Sequence, residues 1–271
     1  MPELPEVETT RRGLAPALEG ARIAGLRVRN RELRWPVPDG LEARLKDQRV
    51  LSLSRRAKYL LLETTGGTAL IHLGMSGSMR IVEPDVPPEK HDHFDIVTTR
   101  GEAIRFNDPR RFGSLLWGGE HPAAHPLLAD LGPEPLGPAF TSEYLYSSCR
   151  GRRVAIKQQI MNSHCVVGVG NIYANEALFY AGIHPVRAAG RISSERIARL
   201  VTEIRNVLRN AIELGGTTLR DYRGGDGKPG YFRQQLAVYE RDGEPCKSCD
   251  NNLRRRVIGQ RATYYCVECQ R

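Results

Sequence analysis

A chain of 271 residues can bury a core without disulfide staples and, at roughly 150 residues per domain, leans towards two domains. No stretch approaches the roughly 18 consecutive apolar residues of a membrane span, which argues against a helical membrane protein. Forty Lys and Arg against 31 Asp and Glu leave a formal charge of +9, which favours a polyanionic partner, nucleic acid before an anionic membrane.

The chain opens MPELPEVETTRRG, interleaving Glu3, Glu6 and Glu8 with Pro2 and Pro5. It has neither the basic start nor the apolar stretch of a secretory signal. Two readings stand: a plain acidic helix start, or a set of chemical groups. Strand patterns follow. In 26–35, Leu26 and Val28 alternate with Arg27 and Arg29, and 50–54 alternates in the same way. YLLLETTGGTALIHL pairs two apolar runs across Gly66 and Gly67, and 94–106 reads as a second hairpin around Arg100 and Gly101. Strands at this spacing, without intervening helices, predict an antiparallel sandwich or barrel.

Several side chains in this half invite a functional question. KHDHFD offers His91, Asp92, His93 and Asp95; strand alternation would put His91 and His93 on one side and Asp92 on the other, which counts against a metal site. In NDPRRFG, Asp108 and Pro109 start a turn that leaves Arg110, Arg111 and Phe112 near a loop tip. Phe112 is then either a wedge between bases or a core residue. Met75 in HLGMSG carries the same ambiguity with the core as its default, and Lys58 in RRAKYLLL reads by default as a solvated strand lysine.

Five prolines between Gly119 and Phe140 (122, 126, 133, 135 and 138) mark a linker, and beyond them the period changes. From Ser193, Ile197, Leu200, Val201, Ile204, Val207, Leu208, Ala211 and Ile212 form one helical face that Gly215 and Gly216 stop. A shorter helix is predicted over 171–185. From Tyr144 to Asn175 there is no acidic residue, while Arg150, Arg152, Arg153 and Lys157 are basic. The segment leads into VVGVGN, a glycine turn opening a helix, which suits a phosphate. A dinucleotide fingerprint fails, because Tyr173 stands where the last glycine is required.

Four of the six cysteines lie in the tail: Cys246-Lys-Ser-Cys249, sixteen residues, then Cys266-Val-Glu-Cys269. Two such knuckles predict one tetrahedral zinc with no open position, a structural site. Arg254, Arg255, Arg256 and Arg261 lie between the knuckles on a hairpin turning at Gly259, and Cys149 and Cys165 read as ordinary buried thiols.

MPELPEVE, RRAKYLLL, HLGMSG, KHDH, NDPRRFG, VVGVGNIYANEALF, GGTTLRDY, DGKPGYF and the cysteine tail with QRATYYC together resemble the bacterial formamidopyrimidine-DNA glycosylases, from residue 1 to the C-terminus. That family excises oxidised purines such as 8-oxoguanine. The resemblance implies an α+β chain: an N-terminal antiparallel β-sandwich (1–118), the linker (119–140), a helix–two-turn–helix DNA-binding domain (141–236) and a C-terminal zinc-finger β-hairpin (237–271). Double-stranded DNA with an oxidised base would lie in the cleft between.

It further implies that Met1 is removed and that the Pro2 nitrogen attacks C1′ of the damaged nucleoside, releasing the base and leaving an imine. An α-amino group, with a pKa of about 8 against about 10.4 for lysine, is far more often neutral and nucleophilic near pH 7. A secondary amine also leaves an iminium, an electron sink that drives loss of the phosphates. By the same resemblance Glu3 is a general acid/base and Glu6 a positioning residue. Lys58 matches the lysine of β-elimination and Arg261 the zinc-finger arginine of δ-elimination. His91, Arg110, Arg152 and Asn171 match DNA contacts, although relatives commonly carry lysines where this chain reads Arg150-Gly151-Arg152. Met75, Arg110 and Phe112 match the residues that fill the gap left by a flipped nucleotide. One structural Zn2+, held by Cys246, Cys249, Cys266 and Cys269, and a monomer in the cytoplasm without a membrane partner complete the expectation. Two alternatives stand beside it. The sister family for oxidised pyrimidines is disfavoured by Leu4 and the intact DGKPGYF. A non-enzymatic zinc-containing DNA-binding protein leaves Pro2, Glu3 and Lys58 without a purpose.

Overall fold

The computed structural model describes residues 2–216 and 232–271. GGTTLRDY beyond Gly216 and DGKPGYF before Phe232 lie outside the described residues. Backbone contacts group the chain into two units, Met1–Ala129 with Leu214–Arg233 and Asp130–Glu213 with Gln234–Arg271.

The first unit begins with α1 (Leu4–Leu18). Glu3 is its N-cap, and a reciprocal pair starts it: the Glu3 carboxylate accepts from the Glu6 backbone, while the Glu3 N–H donates to Glu6 Oε2 at 2.8 Å. Two orphan donors of the first turn are satisfied at once. The strands follow: β1 (Ile23–Val28), then, after the short helix α2 (Leu41–Leu45), β2 (Val50–Arg56), β3 (Tyr59–Thr64), β4 (Gly67–His72), β5 (Ser78–Val82), β6 (Asp92–Thr98), β7 (Ala103–Asn107) and β8 (Ser114–Gly119). They form two four-stranded antiparallel sheets, ordered β1-β6-β7-β5 and β2-β3-β4-β8. Both sheets face one core. Ile23, Phe94, Ile96 and Phe106 from the first meet Leu53, Leu60, Leu62 and Leu115 from the second, with Leu14 and Leu18 of α1 joining them. Each such side chain contributes about 1.5–3 kcal/mol on full burial. Of the sandwich and the barrel, the separate sheets settle on the sandwich.

The strand expected over 26–35 ends at Val28, where the chain leaves the sheet. Arg29 then turns its guanidinium to Asp95, which Arg105 also grips, Nε to Oδ1 at 3.0 Å and Nη2 to Oδ2 at 2.9 Å. Burial pushes the Asp95 carboxyl up, but hydrogen bonds from Arg29 and Arg105 outweigh it and hold the pKa below 3.8. The alternation expected at KHDHFD fails. A bulge between Asp92 and Phe94 breaks the β6–β7 register, and every residue of β6 is buried. His93 donates through Nε2 to the Asp108 carbonyl at 2.7 Å, Asp92 binds Arg80 and Asn107, and His91 lies half-buried before the strand.

The second unit is helical: α3 (Ser142–Cys149), α4 (Ile156–Met161), α5 (Asn171–Tyr180) and α6 (Ser194–Glu213), then the hairpin β9 (Arg254–Ile258) and β10 (Arg261–Tyr265). All eight apolar positions predicted on α6 are buried. α5 stops earlier than 185, at a turn where Gly182 takes φ +68°. It holds the tail. Asn175 Oδ1 accepts from Tyr264 N–H at 2.8 Å, and the Glu176 carboxylate accepts from Ala237, Val238 and Tyr239 N–H at 2.7, 3.0 and 2.9 Å. No described helix is long and apolar enough to cross a membrane.

Candidate active site and nucleic-acid contacts

Pro2 and Glu3 sit buried at the cap of α1, Glu3 only 1 % exposed. A Cβ on Gly216 would come within 3.2 Å of Glu6 Oε1, so the backbone lies close against that carboxylate. The opening is thus both a helix start and a buried cluster of titratable groups, and Glu8 is the partly buried member that pairs with arginines. Burial raises the Glu8 pKa, but hydrogen bonds from Arg11 and Arg12 outweigh this and lower it. Arg55 also donates Nε to Glu8 at 3.2 Å, and its Nη1 reaches the Ala57 carbonyl at 2.8 Å. Ala57 is left-handed, φ +54°, in the turn between β2 and β3. The next residue is Lys58, half-buried in that turn rather than solvated on a strand. Glu8 and Arg55 therefore tie the Lys58 turn to α1.

Beside this turn Tyr59 pairs with His72, their ring centroids 4.7 Å apart. Burial, then the charges of Lys58 and Arg34, push the His72 pKa down to about 4. The hydrogen bond from Gly74 N–H to Nδ1, at 2.9 Å, agrees, since it needs a ring nitrogen without a proton.

Neither Met75 nor Phe112 is a core residue. Met75 is half-buried and Phe112 41 % exposed, with the Arg110 guanidinium 4.9 Å from the Phe112 ring centroid. A cation over an aromatic face holds both at the loop tip.

In the second unit the basic run divides. Arg150 stacks on Tyr146 at 3.9 Å and donates to the Ile192 carbonyl at 2.8 Å, so its charge serves the fold. Arg152 is exposed, and its guanidinium donates to no described residue. Lys157 is 1 % exposed, its Nζ donating to the Ala262 carbonyl at 2.9 Å and Thr263 Oγ1 at 2.8 Å; it clips α4 to the hairpin instead of facing a phosphate. Asn171, behind the Gly170 cap of α5, donates Nδ2 to the same carbonyl at 3.1 Å. Arg261 is exposed at the start of β10, after a turn where a Cβ on Gly259 would strike Gln158 at 2.6 Å.

The sulfurs of Cys246, Cys249, Cys266 and Cys269 lie within 4.8 Å of one another, with pairs at 3.9 and 3.4 Å. A tetrahedral zinc with bonds of about 2.3 Å needs sulfurs about 3.8 Å apart, so the set fits. Ser248 N–H donates to Cys246 at 3.4 Å and Asn251 Nδ2 to Cys249 at 3.6 Å, supporting thiolates. Four sulfur ligands leave no position for substrate. Among the described residues this is the one cluster with metal-ligand geometry, and KHDHFD is not another. Cys149 is a buried thiol that burial pushes up to about 11, which leaves it inert near pH 7.

Sequence reasoning missed Arg55, His72 and Glu176, and used Asp108 only to start a turn. Each has a partner distant in sequence, Glu8 for Arg55, Tyr59 for His72 and the 237–239 backbone for Glu176, and no local pattern marks that pairing.

The family model for the formamidopyrimidine-DNA glycosylase N-terminal domain matches residues 1–115, and that for the formamidopyrimidine-DNA glycosylase H2TH domain matches 131–223. A formamidopyrimidine-DNA glycosylase of Stutzerimonas stutzeri is 58% identical over 271 residues, the whole of both chains. The crystal structure of the MutM (Fpg) protein from Thermus thermophilus is 39% identical, covers 99% of this chain and 98% of its own, and superposes with a TM-score of 0.89. A Lactococcus lactis FPG variant in complex with a Fapy-dG containing DNA is 30% identical with full coverage of both chains and a TM-score of 0.92.

Proposed function

The chain belongs to the formamidopyrimidine-DNA glycosylase family, and from that premise we propose that it excises oxidised purines from double-stranded DNA through the Pro2 nitrogen and then cleaves the strand. The observation that carries the reading is the buried Pro2–Glu3 cluster at the cap of α1, with the Lys58 turn tied to the same helix by Glu8 and Arg55.

The steps follow from the groups. Once Met1 is removed, the Pro2 lone pair attacks C1′, the C1′–base bond breaks, and the base leaves with its electron pair and a proton. The sugar opens and the nitrogen is held as an iminium. Glu3 serves as the general acid/base at the sugar, and Glu6, hydrogen-bonded to the Glu3 backbone, orients it. Loss of the C2′ proton feeds electrons into the iminium and expels the 3′ phosphate; a second elimination expels the 5′ phosphate. Lys58 moves protons in the first elimination and Arg261 in the second. His91, Arg110, Arg152 and Asn171 hold the backbone, and Met75, Arg110 and Phe112 occupy the space of the flipped nucleotide. Bound zinc supplies rigidity to the hairpin that carries Arg261. These groups all belong to one chain, which supports a monomer, and six unpaired cysteines suit the reducing cytoplasm.

The test is borohydride trapping on duplexes with 8-oxoguanine opposite cytosine or with an oxidised pyrimidine. Protein shown by mass spectrometry to begin at Pro2 should form a covalent adduct with the purine lesion. An added N-terminal residue, which turns the amine into an amide, should abolish it while lesion binding persists. An adduct with oxidised pyrimidines only would move the chain to the sister specificity. Full activity with a blocked N-terminus would transfer the nucleophile to Lys58.

A further inference from the structure

Asp108 is wholly buried, 0 % exposed, and each of its polar atoms is engaged. Oδ1 accepts from the Ser76 hydroxyl at 2.6 Å and from Arg110 N–H at 3.2 Å, and Oδ2 accepts from Gly113 N–H at 2.7 Å. Its own N–H donates to the His91 carbonyl at 3.0 Å, and its carbonyl accepts from Arg111 N–H at 3.2 Å as well as from His93. The pattern of partners is specific. Ser76 directly follows Met75, Arg110 is bound at its own N–H, and Gly113 directly follows Phe112. One carboxylate therefore reaches all three side chains of the loop tips within one residue each.

The two loops also interlock through backbone. A Cβ on Gly74 would lie 2.4 Å from Gly113 N and from the Phe112 carbonyl carbon, and one on Gly113 would lie 2.5 Å from the Phe106 ring. Between Arg110 and Phe112, Arg111 is left-handed at φ +56°, a conformation that costs a non-glycine residue about 1–2 kcal/mol and persists where its surroundings impose it.

We propose that Asp108 is the positioning residue for these three side chains, its carboxylate setting Met75, Arg110 and Phe112 in one register before DNA is met. The proposal rests on their reading as the groups that fill the gap left by a flipped nucleotide. Preorganisation matters because ordering each free side chain at an interface costs about 0.5–1.5 kcal/mol, and three must enter together. A carboxylate is required rather than an amide. Both oxygens accept from backbone N–H, and with Asp108→Asn the amide nitrogen would face a donor on one side.

The experiment follows insertion and chemistry separately. 2-Aminopurine beside an 8-oxoguanine:cytosine pair reports unstacking in stopped flow, and single-turnover excision is measured on the same duplex. Cleavage of single-stranded DNA with a preformed abasic site, where no stack has to open, is the reference. For Asp108→Asn, duplex unstacking and excision should fall roughly tenfold relative to single-strand cleavage, as expected for one buried donor left facing another. Ser76→Ala, which keeps the carboxylate and the packing, should lose less in the same direction and serves alone if Asp108→Asn does not fold. Equal losses on duplex and single strand would overturn the proposal in favour of general destabilisation. Normal unstacking by folded Asp108→Asn, with slowed unstacking by Phe112→Ala, would overturn the positioning role while keeping the gap-filling reading. Normal unstacking by Met75→Ala and Phe112→Ala would remove that reading and this proposal with it.

Discussion

The loop tips of the first unit and the cysteine hairpin of the second both present arginines to solvent, but their anchors differ in kind. Arg110 and Phe112 stand on Asp108, in a sandwich whose strands are further tied by Arg29, Arg80 and Arg105 to Asp92 and Asp95. Arg261 stands on two five-residue strands, and four of the five residues of β9 are exposed. Such a hairpin is at best marginal alone. Its apolar support is a small cluster of Phe179, Ala237, Val238 and Leu253 around the cysteines. Where a large core exists, the chain's own buried charges can fix a loop. Where it does not, an ion takes that place.

The two anchors differ most at the metal. Structural zinc in small domains is worth about 10–16 kcal/mol of apparent binding free energy, so its loss should melt the hairpin outright. Cys249→Ser should lose stoichiometric zinc, and hydrogen exchange should rise steeply across 246–270. Protection in the sandwich should stay unchanged, and affinity for undamaged DNA should drop. Unchanged protection of the metal-free hairpin would show that α5 and its Asn175 and Glu176 contacts suffice as the anchor.

The corresponding cut in the first unit is Asp95→Ala. It removes two hydrogen bonds from the Arg105 guanidinium, which is 1 % exposed and keeps only the Pro87 carbonyl at 3.1 Å and Asp92 at 3.8 Å. Breaking a buried pair on one side costs about 3–5 kcal/mol, of which the remaining partners leave the lower end. Urea unfolding should register that loss with the zinc content intact. A cost near that of an exposed ion pair would mean that the core, and not the charge network, holds these strands.

A smaller effect in the first unit depends on pH. The His72 pKa is depressed from 6.5 to about 4, so the folded state favours the neutral ring. Its contribution is present above pH 6.5 and is lost as pH falls towards 4, on the order of 3 kcal/mol across the full window. Asp95, lowered from 3.8, contributes above that value and loses its share only at still lower pH. The stability of the sandwich against unfolding should therefore fall as pH drops from 6.5 to 4, and His72→Gln should flatten that slope. An equal slope in the variant would place the sensitivity on other groups.

Local regularities were legible without coordinates. The face of α6, the β3–β4 hairpin and the two CxxC knuckles each repeat at a spacing that backbone geometry imposes, so eight apolar positions and four ligands could be named from order alone. Motif resemblance supplied the family. The candidate site was legible as a set of residues but not as an arrangement. His91 and His93 departed from alternation because a bulge intervenes. Lys157, read among phosphate-facing cations, is buried because Ala262 and Thr263, more than a hundred positions away, offer it acceptors. Arg150 and Arg152 differ in role only because Tyr146 and Ile192 occupy the first.

Residue order alone specifies the content of the elements and the ligand chemistry of the tail, since helix period, strand alternation and thiolate spacing are short-range properties of the chain. Long-range packing settled which charges stay exposed, as at Arg110, Arg152 and Arg261, and which are engaged within the fold, as at Arg150 and Lys157. It alone could bring Ser76 within 2.6 Å of Asp108 across 32 residues, because a hydrogen bond depends on distance in space and leaves no period in the sequence.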